Sequence, residues 1–176
     1  MNPKHNPEAE RHYARDAKAL EPAAFRRLSP ESRDLLQQAQ LQARARDDNH
    51  VGTEHIVLAI YALGPTSATR ALESLGITRK IFEAQLEDEP GPSPTGAIPL
   101  TPRARMIIAL AGAEASRTDS ETVEVGHVLL GVIRESQRWE ATGTAGPHHL
   151  RAAAEVGGTT LSALELRVIA EMRSGG

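Results

Sequence analysis

Cysteine is absent from the 176 residues, which excludes disulfides, thiolate nucleophiles and cysteine-ligated metals. Aromatics are scarce, with two phenylalanines, two tyrosines and one tryptophan. A core must therefore come from aliphatic side chains and alanine, which suits closely packed helices better than facing sheets. No apolar run approaches the roughly 20 residues that span a bilayer, and the polar stretch from Met1 to Glu10 lacks the apolar centre of a signal peptide. A soluble, cytoplasmic protein with no membrane partner is expected. A basic surplus is missing too: 20 Lys and Arg are interspersed with 23 Asp and Glu, so no polycationic face for nucleic acid is expected. The chain also contains neither a Gly-x-x-x-x-Gly-Lys-Ser/Thr phosphate loop nor a Gly-x-Ser-x-Gly nucleophile elbow. P-loop ATP hydrolysis and that form of serine catalysis are excluded.

What the chain does contain is an internal repeat with a shift of 72 positions. Leu28-Ser29-Pro30 returns as Leu100-Thr101-Pro102, and Leu35, Leu36, Ala39 and Ala43 return as Ile107, Ile108, Ala111 and Ala115. His55-Ile56-Val57-Leu58 returns as His127-Val128-Leu129-Leu130. Such self-similarity marks supersecondary units that bury their apolar faces against each other. The spacing predicts four helices per copy. In copy one these are Pro30 to about Asp47, a helix capped by Thr53, Ser67 to Leu75, and a helix capped by Thr78. In copy two the first helix restarts at Thr101-Pro102, and the others run from about Val125 to Glu135, Pro147 to Val156, and Leu161 to Met172. The fold expected is all-α: two pseudo-symmetric four-helix units, eight helices in all, plus a possible N-terminal helix.

The expected organisation is an N-terminal extension over 1–24 followed by one domain over 25–173, with repeat one at 28–87, a linker at 88–99 and repeat two at 100–173. In the extension, helical spacing of Ala9, Tyr13, Ala17 and Leu20 predicts a helix from Pro7 ended by Pro22, although a loosely attached arm fits its charged composition equally. Pro90, Pro92 and Pro94 exclude a helix from the linker. Matching Gly76 to Gly157 implies about nine residues added to copy two, in a loop over 136–146 that carries Trp139. That tryptophan could be a contact residue or could fold back over the third helix.

The stretches Val51-Gly52-Thr53-Glu54-His55-Ile56-Val57-Leu58, Arg70-Ala71-Leu72-Glu73-Ser74-Leu75-Gly76-Ile77 and Ile98-Pro99-Leu100-Thr101-Pro102-Arg103-Ala104 resemble the amino-terminal domain of the Clp family of AAA+ unfoldases, its ClpC-like branch above all. The resemblance runs from about residue 25 to 173. It implies a non-enzymatic bundle without cofactor that recognises substrates, peptides and adaptor proteins for Clp protease components, here as a monomer acting in trans. It further implies phosphoarginine recognition, with a glutamate of the Gly-Thr-Glu-His motif on the guanidinium and a helix cap at the phosphate. Ser29 with Glu54 matches that pair in copy one. Thr101 matches the cap in copy two, but Gly126 stands at the glutamate position with Glu124 two places earlier, so one intact pocket at most is expected. The alternatives are a decoy that sequesters peptides or natural products and, outside the binding class, a helical DNA-binding regulator resting on Arg103-Ala104-Arg105.

Other candidates carry less. Ser29 and Thr101 are also plain helix caps, and Glu54 is also a first-turn acid favoured by the helix dipole. His50, Glu54 and His55 lack His-Glu-x-x-His spacing, so no metal site is expected. His55 and His127 share a repeat position and are expected to brace a loop. His148 and His149 are expected to point apart into solvent.

Overall fold

The computed structural model describes residues 7–87, 95–143 and 148–175, except the side chains of Ala9, Glu10 and Tyr13. Nine helices and no strands occur among them: α1 (Pro7–Arg26), α2 (Pro30–Ala45), α3 (Thr53–Ala62), α4 (Ser67–Ser74), α5 (Arg79–Glu83), α6 (Pro102–Arg117), α7 (Val125–Ala141), α8 (His149–Val156) and α9 (Leu161–Ser174). The chain is all-α and doubly repeated, α2–α5 answering α6–α9. Ser29 and Thr101 cap α2 and α6, each side-chain oxygen accepting an amide N–H at 3.1 Å, with proline at the first helical position. Both helices end at an aspartate in the left-handed region, Asp47 (φ 58°) and Asp119 (φ 53°).

The two copies are interlocked rather than placed side by side. Leu28 pairs in parallel with Val123, and Leu100 with Val51, so the segment before each copy's first helix is bonded to the start of the other copy's second. Four backbone bonds close these bridges: Ser29 N–H to Val123 O (3.1 Å), Val123 N–H to Arg27 O (2.7 Å), Thr101 N–H to Val51 O (2.9 Å) and Val51 N–H to Pro99 O (2.8 Å). The helices exchange in the same sense, α4 packing on α9 and α5 on α8. At the centre lie α3, buried from His55 through Ile60, and α7, buried from Val125 through Ile133. A Cβ at Gly131 would stand 2.5 Å from the carbonyl oxygen of Ile107, so only glycine permits α7 to cross α6 this closely.

Several expectations are corrected. Proline does not end α1 at position 22; the helix continues to Arg26. Pro22 is on the exposed face, where water can satisfy the carbonyl that its missing N–H leaves unpaired, while Ala17, Glu21 and Ala24 are buried. The N-terminal helix is not a loose arm: α1 packs along α6, with Asp16 bonded to Arg138 and Glu21 to Arg105. Gly52, not Thr53, precedes α3 as its cap residue. The offset also grows to 82 rather than 81 in the later helices, since Thr66, Gly76 and Thr78 correspond to His148, Gly158 and Thr160 by capping position and by the left-handed φ of both glycines. Copy two therefore gains ten residues, and α7 absorbs seven of them by reaching Ala141 where α3 stops at Ala62. Trp139 is thus on a helix, 4 % exposed, against Ala17, Met106 and Ala109. The linker prolines Pro90, Pro92 and Pro94, the expected helix start at Pro147 and residues 144–146 of the loop lie outside the described residues, while 95–99 are not helical.

Candidate functional site

A narrow crevice opens where the copies meet, walled by Glu54 and Val57 of α3, Phe82 of α5, Arg103 of α6, and His149 and Leu150 of α8. Glu54 is in the first turn of α3, where its carboxylate folds back over Gly52; a Cβ there would come within 2.3 Å of Oε1. The helix dipole favours an acid in that place. Thr53 Oγ1 donates to Glu54 Oε2 at 3.3 Å, and no arginine or lysine is paired with this carboxylate among the described residues.

Across the crevice, Arg103 is in the first turn of the helix that Thr101 caps. Its guanidinium is gripped by Glu135 of α7 through two bonds of 2.6 and 3.0 Å and stacks over the Trp139 ring at 4.6 Å. Glu135 is fully buried; burial pushes its pKa above the ordinary carboxylate value, against the opposing pull of Arg103. The pair fixes a cation at the α6 end of the crevice with its own counter-charge behind it.

His149 forms part of the third wall. Its Nδ1 bonds to the carbonyl oxygen of Gln85 at 2.9 Å, so Nδ1 carries the proton and Nε2 is the ring's acceptor. Burial lowers its pKa, against the opposing influence of Glu54. The expectation that His148 and His149 sit in solvent thus fails for both: each is half-buried, His148 beside Glu140, and His149 in the crevice where α8 packs on α5. Arg103 and His149 were not singled out as site residues because neither residue type nor spacing reveals which helix will face them.

The sequence-predicted site residues are distributed differently from the expected pairing. Ser29 is buried and bonded to Ser32, and its backbone joins Val123 of copy two. It is Thr101, joined to Val51, whose helix start meets the Glu54 side of the molecule. Each cap segment is thus bonded to the start of the other copy's second helix. On the Ser29 side the acid's place is taken by Gly126, where a Cβ would lie 2.4 Å from the sulfur of Met172. Glu124 there accepts a hydrogen bond from Thr122 Oγ1.

His55 brings Asp48 and Glu54 within ligand distance of one another, whereas His50 bonds to Asn49 outside this cluster. Both imidazole nitrogens are already committed. Nδ1 accepts the Gly52 N–H at 2.9 Å and Nε2–H donates to Asp48 at 2.9 Å. His127 repeats the device, accepting from the Glu124 N–H at 3.0 Å and donating to Thr118 Oγ1 at 3.0 Å. These histidines are loop braces, one per copy, with no lone pair to offer a metal.

The Clp repeat (R) N-terminal domain family matches residues 27–141. The chain belongs to this Clp N-terminal repeat family. Over 115 residues it is 34 % identical to the chaperone protein ClpB of Oceanobacillus iheyensis and 33 % identical to the negative regulator of genetic competence ClpC/MecB of Bacillus subtilis, in each case 64 % of this chain and 14 % of the relative. A chloroplastic chaperone protein ClpC of Pisum sativum is 32 % identical over 127 residues, 70 % of this chain. The chain thus spans about one seventh of these relatives, the part that holds the Clp repeats. Its fold is shared by the N-terminal domain of the caseinolytic protease associated chaperone ClpD of Arabidopsis thaliana, with a TM-score of 0.62 and 14 % identity over 85 % of this chain and 96 % of that one. The Hsp104 N-terminal domain of Candida albicans matches with a TM-score of 0.62 and 12 % identity over 81 % and 89 %. In this Clp N-type bundle, α1 and the last two helices lie outside the family match. No described helix is long and apolar enough to cross a membrane.

Proposed function

We propose that this Clp N-type bundle is a non-enzymatic recognition module. It holds a guanidinium-bearing protein side chain, in its phosphorylated form above all, and so presents or withholds substrates and adaptors for a Clp machine. The observation that supports this reading is Glu54: a partly buried carboxylate, 21 % exposed, with the His55 ring 3.3 Å away but no arginine or lysine paired to it among the described residues, set in a crevice opposite a capped helix end. A carboxylate accepts two parallel bonds from a guanidinium, and the α6 N-terminus offers N–H groups and a positive dipole end to a phosphate. Thr101, not Ser29, is the cap that serves this pocket.

Calorimetric titration of a phosphoarginine-bearing peptide against the protein and its Glu54→Ala variant tests the reading. One site per chain is expected, with affinity reduced at least tenfold in the variant. Equal binding by both proteins, or none by either, overturns it.

A further inference from the structure

The crevice has a wall on which the two copies differ: His149 opens α8 where Ser67 opens α4, beside Gly126. Residue 149 lies beyond the family match, and α8 docks on α5. We propose that His149 is a ligand-binding residue of the Glu54 crevice, its Nε2 accepting a hydrogen bond from the same cationic group that Glu54 holds, so that protonation of the ring expels the ligand. This inference rests on the reading of Glu54 given above.

Three features carry it. Gln85 fixes the tautomer by taking the Nδ1 proton, which leaves the second nitrogen as an acceptor. His149 and Glu54 line the same crevice and are close enough for the carboxylate to act on the ring. Two acceptors lining one crevice match a guanidinium, whose N–H donors point in fixed directions and can reach both at once, four of them remaining after phosphorylation. An imidazolium in the same place would pair with Glu54 across the crevice, and the crevice would be closed by an internal ion pair. The charged groups acting on the ring are Glu54 from α3, Glu87 beyond α5 and Arg103 from α6; the last is bound to Glu135. Burial keeps the ring neutral near neutral pH.

The experiment titrates the phosphoarginine-bearing peptide at pH 7.5 and 5.5 against wild type, Glu54→Ala, His149→Gln and His149→Asn, with thermal melts of each. Glutamine places a non-titrating amide near the Nε2 position, and asparagine retains only the portion that reaches Gln85. Expected are a wild-type affinity at least threefold weaker at pH 5.5, a flat profile for His149→Gln with near-wild-type affinity at pH 7.5, and at least fivefold weaker binding by His149→Asn. The glutamine profile also corrects for titration of the peptide itself, and it decides the matter if the asparagine variant melts early. Wild-type affinity and pH profile in both His149 variants overturn the inference and leave Glu54 standing. Loss of any difference between wild type and Glu54→Ala overturns the underlying reading and the inference with it.

Discussion

Thr101 donates its amide N–H to the carbonyl of Val51 at 2.9 Å, and Ser29 repeats the bond to Val123 at 3.1 Å. Each copy thereby supplies a capped helix start to the second helix of the other, and neither copy holds a complete pocket by itself. The acid at position 54 and the cap at position 101 come from opposite halves of the chain.

The clamp between Arg103 and Glu135 yields the first prediction. Arg103→Ala strands a carboxylate in the core and should cost about 3–5 kcal/mol by chemical denaturation, the magnitude typical of breaking a buried ion pair. Replacing both members, as in Arg103→Met with Glu135→Leu, should recover most of that loss. A single variant no less stable than wild type would contradict the burial of Glu135.

His127 makes stability depend on pH. Burial holds its pKa below the ordinary imidazole value, against the opposing influence of Glu124 and Glu114. The unfolded chain therefore binds the proton more tightly, and the stabilisation is complete above about pH 6.5 and lost as pH falls through the folded pKa. Each unit of separation is worth about 1.4 kcal/mol. Urea midpoints should fall between pH 7.5 and 5.5, less steeply in His127→Asn than in wild type.

Gly126 separates the two halves of the molecule chemically. Gly126→Glu alone should add no second binding site, because its Cβ meets the Met172 sulfur, and the strain should cost about 1–3 kcal/mol. Combining it with Met172→Ala should raise the stoichiometry of peptide binding from one towards two. A second site in the single variant would show that Met172 is no obstacle.

Close contact between α1 and α6 depends on Gly112, where a Cβ would stand 2.7 Å from that of Ala24. Gly112→Val should lift α1 and cost about 1–3 kcal/mol. Trp139, the single tryptophan, packs against Ala17 of α1 and so reports the change as a red shift in emission. Trypsin should then cut at Arg15 and Lys18 at lower protein stability than in wild type.

The cover that α1 provides had a signature in the sequence that periodicity alone does not expose. Met106, Ala109 and Leu110 of α6 stand where α2 has Asp34, Gln37 and Gln38, so the outer face of the second copy is apolar where the first is polar. Comparing the two copies position by position would have called for a cover over α6. The relation of α1 to that face was not legible from α1, whose Pro22 looks like a stop until its exposure is known.

Local chemistry was enough to determine most of the helices, the caps at Ser29, Thr78 and Thr101 and the twofold repetition, because hydrogen bonds to a cap and apolar spacing of three and four involve neighbours in the chain. The absence of a carboxylate at position 126 was equally plain. The tertiary structure decided that the Thr101 helix start lies beside the copy that holds Glu54, that Arg103 is locked by Glu135 and Trp139, and that His149 lines the crevice. Those relations join residues 32 to 95 positions apart, set by how distant helices dock on one another, and no local spacing encodes them.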